Sequence, residues 1–278
     1  REAWARWAGL AQGGTPVVRF APARGLRSLG FQSKLLIMLL AVSVLSVLIA
    51  GLIGYLSGTK SLRDAEYQRL SQLRDSRARE ITAFYNGIDN AATVLTHSTA
   101  TVTAMKDFTG AFAALQKTPL PPGAPEAVDN YYRTVFDPAL EKGSGEKVDP
   151  GLFRPKSNAE TYLQSLYTVP AKGDFKASVK VQTAGDPSEW SKFNQRYQPF
   201  FSDFAERFGF DDAMMIDPDG NIVYSAYKQT DLGANVLAPP FATTKLADAF
   251  RKAMRASSVD EVILSDFEDY APAYGKPT

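Results

Sequence analysis

The chain has 278 residues, 45% of them hydrophobic, with a formal net charge of +1. That composition suits one or two globular domains, and so small a charge gives no global field to draw in nucleic acid. Cysteine is absent and histidine occurs once, at His97, which excludes disulfides, thiolate chemistry and a multi-histidine zinc site. The sequence opens on Arg1 and closes on "YAPAYGKPT", so the chain is expected to be a piece of a longer protein.

Residues 1–33 read as a basic N-terminal tail, with Arg19, Arg24 and Arg27 and, just beyond it, Lys34. The run "LLIMLLAVSVLSVLIAGLIGYLSGT" then carries no charge over the 25 residues 35–59. As a helix it would extend roughly 37 Å, more than the ~30 Å hydrocarbon core of a bilayer. Lys34 and Lys60 bracket it and Tyr55 sits near one boundary, so a transmembrane helix is expected over 34–59. A buried core helix would seldom run so long without a charge. A signal peptide would be shorter and end in a better cleavage site than "YLSGTK". Positive residues are nearly balanced on the two sides, so charge alone leaves the orientation open.

Beyond Lys60, Leu70, Ile81, Phe84, Ile88, Ala91 and Leu95 recur at helical spacing, and no proline occurs before Pro119. A long connector helix is expected over 60–116, running unbroken to about Leu115, with His97 on its surface. "KTPLPPGAP" ends it. Helices follow in "EAVDNYYRTVFDPAL" and in "AETYLQSLYTV", the latter opened by a capping box of Ser157 and Glu160. A third, "DPSEWSKFNQRYQPFFSDFAERF", is expected to break or kink near Pro199.

"DAMMID" and "NIVYSA" then form a hairpin around "PDG", with Gly220 at the turn. "DPDGN" opens like a calcium loop, but the glycine falls at the fourth position and Ile222 at the sixth, so that reading fails on spacing. A helix over about 241–254 and a third strand, "EVILSD", complete what the residues support. The sheet is expected to be incomplete at the C-terminus, with further strands beyond Thr278. The acid pairs at Asp211/Asp212 and around Asp266, Glu268 and Asp269 read as solvated strand ends. No catalytic motif is present.

The segments "MMIDPDGNIVYS", "TDLGANV" and "VILSDFEDYAPAYGKP", behind a membrane helix and a long helix, resemble the Cache sensor domain of bacterial signal transducers. The likeness spans about 33–278, and is nearest to the N-terminal part of membrane adenylate/guanylate cyclases with Cache and HAMP modules. It implies an α+β chain: one transmembrane helix, a long rising helix, and a PAS-like antiparallel sheet with flanking helices over 117–278. It also implies a cytoplasmic tail, a sensor outside the cell membrane, a small-molecule ligand and a homodimer, with no cofactor and no nucleic acid. The output would be a class III nucleotide cyclase outside these residues. A histidine kinase or chemoreceptor segment, or a membrane-anchored domain without signalling, are the alternatives. Trp190, Arg196, Tyr197, Tyr224 and Asp266 are the candidate ligand-binding residues, since aromatic walls with one arginine and one carboxylate suit a zwitterion or a carboxylated metabolite.

Overall fold

The structure, a computed structural model, describes residues 30–278 apart from 148 and 150. The tail expected over 1–33 therefore lies, up to residue 29, outside the described residues. Two compact units meet at residues 79 and 80, and each is described by itself.

Helix α1 (Phe31–His97) runs for 67 residues. It is long and apolar enough to cross a membrane. Its most apolar 18-residue window has a mean hydropathy of 2.9, and none of that window is buried. Leu36, Leu40, Val47 and Ile53 all stand exposed. A face of this kind would be costly in water and costs nothing in hydrocarbon.

The helix expected to continue to Leu115 stops earlier. Ser98 has extended geometry, φ −68° and ψ 124°, and a new helix, α2 (Thr99–Leu115), begins after it. The break falls in "LTHSTAT", where hydroxyls offer the backbone alternative partners. Thr96 donates to the Thr93 carbonyl at 2.9 Å and Thr103 to the Thr99 carbonyl at 2.8 Å. A change of direction here lets Ala104, Phe108, Ala111, Phe112 and Leu115 bury one face. His97 is exposed, as expected, and pairs with Asp260 at 2.7 Å.

Next come α3 (Ala124–Tyr131), a π-helical turn over Tyr132–Phe136, and α4 (Asp137–Ser144). The Ser157 hydroxyl caps α5 (Asn158–Leu163) by accepting the Glu160 amide at 3.1 Å. The Glu160 carboxylate reaches the Lys156 amide, at 2.7 Å, one residue short of a standard capping box. A second π turn over Gln164–Thr168 leads to the short α6 (Val169–Ala171) and α7 (Phe175–Ser178).

Helix α8 (Glu189–Phe208) is not broken at Pro199. Proline there removes one backbone donor, but Trp190, Asn194, Tyr197, Gln198 and Phe201 anchor the helix on both sides of it. Phe200 and Phe208 are 46% and 45% exposed, whereas Trp190 and Phe201 of the same helix are buried.

Strands β1 (Met214–Ile216) and β2 (Ile222–Ser225) pair antiparallel, with Met215 opposite Tyr224. The Asp217 carboxylate accepts the amides of Asp219 and Asn221 at 3.0 and 2.9 Å, so the turn itself uses it. Gly220 has φ +89°, and a Cβ there would lie 2.9 Å from Leu237. The segment after β2 folds back beside the turn. Gly233 donates to the Ile222 carbonyl and Val236 to the Gly220 carbonyl.

Helix α9 (Lys245–Ala253) follows a 3-10 turn. The strand expected in "EVILSD" does not form; residues 261–268 are irregular. A ribbon of β3 (Asp269–Tyr270) and β4 (Lys276–Pro277) forms instead. The Glu268 carboxylate holds it against α9 by accepting the Lys245 amide at 2.6 Å. A side chain spent on a helix N-terminus explains why this stretch joins α9 rather than the hairpin. The described residues are thus helix-rich, with two small antiparallel ribbons.

The main core gathers α2, α5, α8 and the hairpin around Phe108. That ring lies 4.7 Å from Tyr224, 5.4 Å from Trp190 and 5.9 Å from Tyr197, centroid to centroid. Phe108→Ala should therefore destabilise the chain by about 3–5 kcal/mol. Equilibrium denaturation in detergent micelles, followed by near-UV circular dichroism, measures it; a loss below about 1 kcal/mol would contradict this packing.

Candidate functional site: a groove over a buried charged floor

The segment from Asp211 to Asp231 enters and leaves the hairpin, and it carries six of the thirteen buried polar side chains among the described residues. Asp212, half-buried ahead of β1, closes the hairpin's open end. One carboxylate oxygen accepts the amides of Ala213, Ala226 and Tyr227 at 2.6, 2.9 and 3.1 Å. The other accepts the Ser225 hydroxyl at 2.6 Å. The Ser225 oxygen in turn accepts the Lys228 amide at 2.8 Å.

Lys228 is 1% exposed and has φ +51°. Its ammonium donates to Gln198 Oε1 at 2.6 Å and to the Ala226 carbonyl at 3.2 Å. The rings of Tyr167 and Tyr224 lie 5.9 and 5.8 Å away. Gln198 also accepts the Tyr224 hydroxyl at 2.7 Å, so one carboxamide ties α8 to β2 and to the lysine. Burial pulls the Lys228 ammonium down to about 7, opposed by the nearby Asp212 charge.

Asp231 is fully buried; one of its oxygens accepts the Tyr270 hydroxyl at 2.7 Å. The other, like Oε1 of buried Gln229, has no hydrogen-bond partner. Burial raises the Asp231 carboxyl, and the Asp212 charge raises it further. Burial also pushes Glu160 up to about 7, against the amides of Lys156 and Ser157, which favour the charge. Glu160 touches this segment closely. Gly233 has φ +87°, and a Cβ there would sit 2.7 Å from the Glu160 Cα. Gln164 secures the same loop through the carbonyls of Thr230 and Leu232 at 2.8 and 3.2 Å.

Two adjoining cavities open beside this floor, of about 520 and 440 Å³. Both are lined by Phe210, Asp211, Gln229, Ala273 and Thr278. The larger adds Asp174, Phe175, Lys176, Tyr227 and Lys276. The other adds Phe84, Tyr85 and Ile88 from α1, with Phe208, Phe267 and Tyr270. Volumes of this size suit a small organic molecule. Perturbed ionisable groups beneath a cleft are a recurring property of functional sites.

The five residues singled out from sequence are not gathered here. Trp190, Tyr197 and Tyr224 do come together, but as packing around Phe108. The Trp190 indole donates to the Val223 carbonyl at 2.8 Å and Tyr197 to Asp107 at 2.7 Å. Arg196 is exposed, its guanidinium 5.6 Å from the Tyr197 ring centre. Asp266 is exposed within residues 261–268. Of the acids expected to be solvated, Asp211, Asp266 and Asp269 are exposed. Asp212 and Glu268 instead hold backbone amides. Lys228, Gln229 and Asp231 had no periodic signal, because "KQTDLGANV" reads as a polar exit from a strand. No protein-family model, curated protein or solved structure matches this chain.

The floor gives stability a distinctive pH dependence. Glu160 holds its proton to about pH 7 when folded, against 4.5 ordinarily. Across that window the folded state binds more protons than the unfolded, so stability falls as pH rises. Lys228 loses its proton near 7 when folded, against 10.5 ordinarily. Above 7 the unfolded state binds more protons, so stability recovers toward 10.5. Glu160→Gln should make the falling limb shallower, the raised carboxyls of Asp212 and Asp231 sustaining the remainder, and Lys228→Met should flatten the rising limb. Denaturant midpoints measured across the pH range check both slopes, and unchanged limbs would rule out these groups as their source.

Proposed function

We propose that this chain is the extracytoplasmic ligand-sensing input segment of a transmembrane signal transducer, with a Cache-like sensor unit. The observation that carries the reading is α1. One uninterrupted helix, Phe31–His97, contains both a membrane-length apolar span and the groove residues Phe84, Tyr85 and Ile88. A ligand in the groove would touch the element that enters the bilayer. It could shift output only by binding two arrangements of that element with different affinity.

The resemblance supplies what the geometry leaves open: residues 1–33 in the cytoplasm, the sensor unit outside the cell membrane, and a class III nucleotide cyclase as output. A kinase or chemoreceptor output would use the same input. A ligand, the bilayer and a second copy of the chain are the partners this reading implies. The segments "TDLGANV" and "DFEDYAPAYGKP", which carry much of that resemblance, meet through the Asp231–Tyr270 hydrogen bond, and this supports their reading as parts of one sensor fold.

Because the chain has no cysteine, a single introduced thiol reports without background. Ser257→Cys, at an exposed position, should react with a membrane-impermeant maleimide on intact spheroplasts. Labelling that requires lysis would reverse the orientation and remove the sensor assignment.

A further inference from the structure

The two parts of the groove differ: the 520 Å³ part sets Lys176 and Lys276 against Asp174, and the 440 Å³ part is richer in rings and carboxylates. In the 440 Å³ part, six aromatic residues line the wall, among them Phe84, Phe208, Phe267 and Tyr270. Phe84 and Phe267 are 60% and 73% exposed, rings that the core leaves uncovered. Asp211 stands at the junction with the 520 Å³ part and makes no ion pair among the described residues. Glu268 and Lys245 also line this part, and the Glu268 carboxylate is engaged by the Lys245 amide, so Asp211 is its free carboxylate. Asp212 also lines the wall, but the backbone amides and the buried Lys228 nearby offset its charge. Gln229 lines both parts, is 5% exposed, and its Oε1 has no hydrogen-bond partner. Ring faces, a free carboxylate and an unused carbonyl oxygen favour the same guest. Each attracts positive charge, and the carbonyl accepts an N–H.

We propose that the groove binds an organic cation, an amine or quaternary ammonium carrying an apolar group, with Asp211 as its counter-charge. This rests on the sensor reading of the groove and narrows its ligand class. The zwitterion or carboxylated metabolite expected from Arg196 loses its support, because Arg196 lies on α8 against Tyr197 and does not line these cavities. The apolar group would lie against the rings, with the cation within about 6 Å of a ring centre, where attraction to its face is strong.

The test is isothermal titration calorimetry on the full chain in detergent micelles. The probes are benzyltrimethylammonium, neutral phenylacetamide and anionic phenylacetate. Saturable binding of the cation alone is expected. Asp211→Asn and Phe267→Ala should each weaken it by about threefold to tenfold. Asp203→Asn, an exposed change on α8 outside the groove, should leave it unaltered. Near-UV circular dichroism confirms that each variant is folded. Equal or tighter binding of phenylacetate or phenylacetamide would overturn the cation assignment and leave a ligand groove standing. Heat from none of the three, or a cation affinity indifferent to Asp211→Asn, would also overturn it. The Ser257→Cys labelling reads the sensor assignment separately, so failure of one does not mimic failure of the other.

Discussion

The unit spanning Glu80–Thr278 depends on one carboxylate. Asp212 accepts three backbone amides and a hydroxyl, and so fixes where β2 ends and where residues 226–228 turn. A carboxylate withdrawn from water is costly unless its lone pairs are used, and here four donors use them. The turn it enforces carries Lys228 inward at positive φ, and the lysine in turn occupies Gln198. Through Gln198 the arrangement reaches α8, and through Tyr224 it reaches Phe108 and α2. Polar and aromatic cores are thus two sides of one assembly, which is why the charges sit directly behind the packed rings.

That coupling also bears on the groove. Of the raised carboxyls Asp212 lines it directly, and the backbone amides that this carboxylate accepts give that side a stiff base. The wall includes α1 and the irregular residues 261–268, which carry few interior contacts: Leu264, Ser265 and Phe267 are all exposed. A site built from one stiff and one lightly anchored side can respond to a guest by moving the lightly anchored side.

Much of the fold was legible because it rests on periodicity and turn chemistry. The apolar run, the hairpin around Gly220 and the Ser157 cap each depend on residues adjacent in sequence. The errors came where distant residues decide. The break at Ser98 follows from what α2 must bury, and Pro199 is tolerated because flanking side chains are anchored in a core that no local window reveals. "EVILSD" has strand composition, but Glu268 commits its end to α9. The candidate site was harder still. Trp190, Tyr197 and Tyr224 converge on Phe108, and aromatic composition does not distinguish rings that wall a pocket from rings that pack on another ring. The residues beside the groove, Lys228 and Gln229 among them, looked like solvent-facing loop, since a buried lysine is identified only by its distant partners.

The two π turns carry a last consequence. Each wide turn inserts one residue beyond regular α-helical spacing, and this lets Gln164, Tyr167 and Thr168 all face the interior, as Tyr132 and Phe136 do. Deleting a single residue from the start of the second turn would restore an ordinary helix and rotate the rest of that helix by about 100°. The hydrogen bonds of Thr168 to the carbonyls of Lys228 and Gln229 would then point away from their acceptors. Chain length in this turn is therefore as constrained as residue identity: a substitution there removes one contact, whereas a deletion misdirects a whole face.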